Sequence, residues 1–87
     1  MTKPIATRWF SPAVPVRTNQ GFRYNVNSVE GAARELLEWK KRGPKWNQAV
    51  RVCMAGLANE MTPAQVREAF LAAAIEENRL LPPIKDK

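Results

Sequence analysis

Between Trp46 and Met61 the apolar residues Trp46, Ala49, Val50, Cys53, Met54, Leu57, Ala58 and Met61 recur at spacings of three and four, which traces one face of a helix. Asn47, Gln48, Arg51, Asn59 and Glu60 occupy the other face, so the helix is amphipathic, with one side meant for a core. The chain has 87 residues, enough for one modest core, so every other apolar face must be packed against this one.

Upstream, the period is two. Val14 and Val16 alternate with Pro15 and Arg17, and Phe22, Tyr24 and Val26 alternate with Arg23, Asn25 and Asn27, the pattern of a β-hairpin. Requiring both apolar sets to share a face sets Val16 opposite Phe22 and Val14 opposite Tyr24, with Arg17 to Gly21 as the loop and Gly21 free to take a positive φ. Pro15 has no N–H for a ladder, which places the first strand at an edge. Trp9 and Phe10 are expected to fold back over the core.

At Asn27 the period becomes 3.6, with Val29, Ala32, Ala33, Leu36 and Leu37 on one stripe. Asn27 or Ser28 can cap this first helix, Asn27 with Glu30 resembling a capping box. Lys40, Lys41 and Arg42 are read as its last turn, where positive charge meets the negative end of the helix dipole, and Gly43 and Pro44 as its stop. After the organising helix, Thr62, Pro63 and Gln65 supply a cap, a first-turn proline and a capping-box glutamine. The third helix then buries Val66, Ala69, Phe70, Ala73 and Ala74, with Leu71 and Ile75 on a flank. Leu80 to Ile84 reads as a short extended tail laid against the hairpin. A lone hairpin is marginal in water and must lie on the helices. The expectation is an α+β fold, an N-terminal antiparallel β-hairpin packed on a three-helix bundle. Its domain spans residues 9–81, with flexible ends at 1–8 and 82–87.

Taken together, these residues resemble a known family. The pattern comprises Phe10, Pro15 and Val16, then Val26, Asn27 and Ser28, then Ala32, Ala33, Leu36, Leu37 and Trp39 on the first helix. Gly43, Trp46, Ala49 and Cys53 follow, and the third helix adds Thr62, Pro63, Arg67, Ala69, Phe70, Ala73, Ala74 and Glu76. It is similar to domain of unknown function family 982, small bacterial proteins, over roughly residues 9–81. The resemblance implies a small single-domain bacterial protein and carries no activity or binding residues with it. The tract Lys40, Lys41, Arg42 and the basic N-terminus depart from the pattern.

Composition narrows function mainly by exclusion. There is no histidine to activate a serine or cysteine nucleophile, and the one cysteine, Cys53, lies in the apolar stripe and reads as a core residue. The glycines are scattered rather than gathered in a phosphate loop, and Glu35, Glu38, Glu76 and Glu77 read as solvated partners of Arg34, Lys41 and Arg79. No enzyme activity, metal or cofactor is expected. A single cysteine, no apolar signal-like N-terminus and no stretch long enough to span a bilayer point to a cytoplasmic protein.

The net charge is +6, and residues 1–28 hold Lys3, Arg8, Arg17 and Arg23 with no acid. An enzyme subunit that supplies no chemistry by itself is one functional reading, and two others follow. One is a non-catalytic interaction module that recognises another macromolecule, with a protein as the expected partner and Trp39 either as half-buried packing or as an exposed anchor. The other is a basic nucleic-acid-binding protein acting through phosphate contacts, with Trp9, Phe10 or Tyr24 for stacking. The contact residues expected for either are Arg17, Arg23, Trp39, Lys40, Lys41, Arg42 and Lys45. Homodimerisation through an exposed hairpin edge is compatible with both.

Overall fold

The computed structural model describes residues 7–82. Its elements are β1 (Trp9–Arg17), β2 (Arg23–Ser28), α1 (Val29–Glu38), α2 (Pro44–Leu57) and α3 (Pro63–Glu76), an α+β arrangement of a hairpin followed by three helices. The two strands are antiparallel, but Val16 faces Tyr24 and Val14 faces Val26, two residues from the expected register. A two-residue slip keeps every side chain on its own face, so alternation alone could not distinguish the two pairings. The observed pairing moves the loop one position along, to residues 18–22, where Gly21 has φ 87° and Thr18 Oγ1 accepts the Phe22 N–H. It also puts Phe22 outside the strand, 70% exposed rather than in the core. On the far side of β1, Val16 forms an antiparallel bridge with Leu80. There the Leu81 N–H donates to the Pro15 carbonyl, so Pro15 is asked only to accept. The expected tail therefore lies on the hairpin through Leu80 and Leu81; residues 83–87, like residues 1–6, fall outside the described residues.

The core joins Phe10, Val14, Val16 and Val26 of the hairpin to Val29, Ala32 and Leu36 of α1, to Trp46, Ala49 and Cys53 of α2, and to Val66, Phe70, Ala73 and Ala74 of α3. Trp9 does not fold back; it is exposed. α1 begins at Val29, so Ser28 caps it, its Oγ accepting the Gly31 N–H, and Asn27 lies one residue before the cap; the Glu30 carboxylate that would complete an Asn27 capping box bonds Arg8 instead. The helix ends at Glu38, so Lys40, Lys41 and Arg42 lie beyond its last turn, and Gly43 and Pro44 begin α2 rather than stop α1. The organising helix is two residues longer at its start than its apolar stripe and ends at Leu57. Trp46, Ala49 and Cys53 are buried as expected, whereas Met54 and Met61 are exposed. The Thr62 capping box with Gln65 and Pro63 in the first turn are present as read. Both α2 and α3 close on asparagines in the left-handed region, Asn59 and Asn78. In each, the next N–H reaches back to the third-last helical carbonyl, Glu60 to Ala55 and Arg79 to Ala74.

Candidate functional site

The C-terminal end of α1 gathers most of the sequence-predicted contact residues and assigns many of them to structure. The last carbonyls of a helix have no partner within it. Here side chains from three segments supply partners. Trp46 Nε1 donates to the Leu36 carbonyl (2.8 Å), Arg42 to those of Leu37 and Trp39 (both 3.1 Å), and Asn19 Nδ2 to that of Glu38. Arg42 also lies 4.5 Å from the Trp46 ring centre, a cation over an aromatic face. Arg42 thus meets the helix end through hydrogen bonds rather than through the dipole of a turn it does not belong to.

Trp39 is neither half-buried nor an exposed anchor. It is 1% exposed, packs on Phe70 with ring centres 5.6 Å apart, and donates from Nε1 to the Glu35 carboxylate at 3.0 Å. Glu35 is correspondingly buried, which removes it from the solvated acids. Glu76 is likewise not a partner for a surface base: its Oε1 accepts the Lys45 N–H at 2.9 Å and caps α2, whose own N-cap, Gly43, has no side chain to do so. Arg79 holds the arrangement together, donating to the Arg17 carbonyl and to Asn19 Oδ1 while its guanidinium lies 5.1 Å from the Trp39 ring centre.

Because Asn19 ties the hairpin loop to the end of α1, the cross-strand pair Arg17 and Arg23 shares one end of the molecule with Lys40, Lys41 and Arg42. Arg17 and Arg23 spend hydrogen bonds on the carbonyls of Asn78 and Pro82. Lys40 and Lys41 are exposed. Lys45 belongs elsewhere, to a groove of about 310 Å³ between α2 and α3 lined also by Gln48, Val52, Met61, Gln65 and Glu68. That groove is larger than the notch between α1 and α2, and two of its polar side chains are engaged, Gln65 with the Thr62 cap and Glu68 with Arg67.

The second cavity lies between α1 and α2. It is a notch of about 50 Å³ lined by Ala33, Leu36, Leu37, Val50, Cys53 and Met54. Leu37 is 64% exposed and Met54 61%, against the expectation that both face the core. Helical geometry explains the miss: both lie on the flank of their apolar stripes, and the crossing of α1 and α2 covers the centre of each stripe but leaves these outer edges in water. The Cys53 thiol is buried beneath them, and that burial pushes it up to about 12, far from a reactive thiolate. On the other flank of the molecule, burial alone would raise the Glu30 carboxyl, but the Arg8 and Glu30 backbone N–H groups and the Arg8 guanidinium, 2.6 Å away, outweigh it and hold it below its ordinary value. Among the described residues there is no group of three metal-ligating side chains, and no helix is long and apolar enough to cross a membrane.

The family model described as "Protein of unknown function (DUF982)" matches residues 12–81. The fold is similar to that of an Agrobacterium tumefaciens protein, Atu1219, solved by NMR as a structural genomics target: TM-score 0.72 and 28% identity, covering 90% of this chain and 80% of that one. No curated protein matches the chain.

Proposed function

The chain belongs to the DUF982 family of proteins of unknown function, and on that premise we propose that it is a non-catalytic binding module that recognises another protein through the notch between α1 and α2. The observation that carries this reading is the side-by-side exposure of Leu37 and Met54 around an apolar floor. Single apolar residues on a surface are ordinary, whereas two large ones beside an apolar depression make a contiguous exposed patch, the kind of surface that supports reading it as an interaction site. Covering them removes apolar area from water at about 25 cal/mol per Å². A non-catalytic role is supported by the chain's chemistry: it has no histidine, its thiol is buried and protonated, and its buried carboxylate is engaged by Trp39.

The test is a photo-crosslinking residue placed at position 37 or 54 in the producing cell, with position 75 as the control, since Ile75 is also exposed but lies on α3. A discrete protein adduct from 37 and 54 and none from 75 is the expected result. Equal adducts from all three positions would reduce the notch to ordinary surface.

Nucleic-acid binding is a second reading, favoured by one observation. Phe22, expected in the core, is exposed at the hairpin end beside Arg23, at the same end of the molecule as Lys40 and Lys41. An exposed ring among bases suits base stacking with phosphate contacts. Fluorescence anisotropy with mixed-sequence DNA and RNA would then show micromolar binding that weakens by tens of fold from about 50 mM to about 200 mM salt and is lost in Phe22→Ser/Lys40→Glu/Lys41→Glu. No binding at the lower salt removes this reading.

A further inference from the structure

We infer that the partner segment taken up by the notch between α1 and α2 is an amphipathic helix with acidic flanks, an inference that rests on reading this face as a protein-binding surface. The rim carries the argument. Arg34 lies one turn before Leu37 on α1, and Arg51 one turn before Met54 on α2, so each exposed apolar residue has a base three positions away on the same side of its helix. Both arginines are exposed, and the ion pairs among the described residues, Arg8 with Glu30 and Arg67 with Glu68, use neither. Glu30 follows Leu37 round that flank two turns earlier, but its carboxylate is already neutralised by Arg8. Exposed Glu38 lies four positions after Arg34 but makes no ion pair with it and sits farther round α1 from Leu37, so the surface offered is an apolar centre beside two positive charges that no ion pair among the described residues uses.

Three occupants can be weighed against that pattern. A second copy of the chain, related by a two-fold axis, would set Arg34 and Arg51 against themselves and leave like charges facing across an apolar contact. A nucleic acid would meet Leu37 and Met54 where it needs phosphate contacts and stacking rings, whereas the exposed rings among the described residues, Trp9, Phe22 and Tyr24, all belong to the hairpin. An acidic amphipathic helix satisfies both features. One apolar side chain enters the notch, others lie along Leu37 and Met54, and carboxylates one turn away meet the two arginines. Methionine suits such a surface because its unbranched side chain adapts to the shape laid on it. The chain's net +6 steers an acidic partner toward it.

The experiment uses the full chain and three synthetic helical peptides with the same leucine face, flanked by glutamate, glutamine or lysine. Binding is followed by fluorescence anisotropy and by mapping amide resonances, with sedimentation run in parallel. The expected result is that the glutamate peptide binds best and shifts resonances of α1 and α2. Its affinity should fall at least tenfold in Leu37→Ser/Met54→Ser, and in Arg34→Glu/Arg51→Glu the preference should pass to the lysine peptide. All four positions are exposed, so both variants should keep the native circular dichroism. If the glutamine or lysine peptide binds the parent on this face as well as the glutamate one, the face stands as a binding surface and the acidic partner is wrong. If no peptide shifts α1 and α2, the protein-binding reading falls with it. A dimer that Leu37→Ser/Met54→Ser makes monomeric would assign the notch to a second copy and overturn the proposal.

Discussion

Arg42 shows how a surface charge can be a structural part. Its guanidinium donates to the Trp39 and Leu37 carbonyls and covers the Trp46 ring, so Arg42→Ala should cost about 1–2 kcal/mol, less than two charge-assisted hydrogen bonds at about 1.5–3 kcal/mol each because Arg42 is exposed to water. Lys40→Ala and Lys41→Ala, which remove exposed charge alone, should stay within about 0.5 kcal/mol. Urea denaturation of the three variants separates the effects; equal losses would mean that charge, not the capped helix end, matters there. Cys53 offers a second probe at the same scale. Buried and held protonated, it should react with a thiol reagent slowly in the folded protein and quickly in denaturant. Rapid labelling of the native state would mean that the notch opens to its floor.

Among the elements, α2 and α3 approach closely at Gly56. A Cβ built there would lie 2.6 Å from Val66 Cγ2 and 3.3 Å from Val29 Cγ1, so the two helices and the start of α1 meet where the side chain is missing. In an open helix, glycine to alanine stabilises by about 1 kcal/mol. At this position the overlap, with a typical overpacking cost of about 1–3 kcal/mol, should reverse the sign and make Gly56→Ala destabilising. The same substitution in a Val66→Ala background, where the clashing methyl is gone, should cost less or become favourable. Additive effects in that double-mutant cycle would dissociate Gly56 from the helix contact.

For the whole molecule, Arg8 clasps elements far apart in the chain. It pairs with Glu30 of α1, donates to the Leu57 carbonyl at the end of α2 at 2.9 Å, and reaches Asn59 in the following turn. The Glu30 carboxyl is held below its ordinary value of 4.5, so its ionised form favours the folded state. That contribution is complete above the ordinary carboxylate range and is lost as pH falls through the lower, folded value. Arg8→Ala should therefore lower stability near neutral pH and flatten the acid limb below about pH 4.5, as denaturation midpoints across that range would show. An unchanged acid limb would mean that the pair does not contribute to folding, the common result for exposed ion pairs.

What the sequence determined by itself is what neighbours along the chain decide. The period of two and then 3.6 fixes the order hairpin, helix, helix, helix; Thr62 starts its helix with its own hydroxyl, whereas Asn27 and Ser28 both suited the start of α1 and the fold uses Ser28; and Val14, Val16, Val26, Leu36 and Phe70 reach the core because alternation and helical spacing select a face without reference to partners. The tertiary structure decided whatever depends on how much of a face is covered. Leu37 and Met54 differ from Leu36 and Cys53 by a rotation about the helix axis, and only the crossing of α1 with α2 determines which side of that rotation stays wet. The same holds for Trp39, whose burial needs Phe70 beneath it and Arg79 above. It holds for Glu76, which caps a helix beginning more than thirty residues earlier, and for the hairpin register, where both pairings satisfy alternation and the docking of Asn19 on the end of α1 accompanies the one observed. Local periodicity is set by the geometry of the backbone, whereas coverage is set by contacts between segments that the chain brings together only on folding.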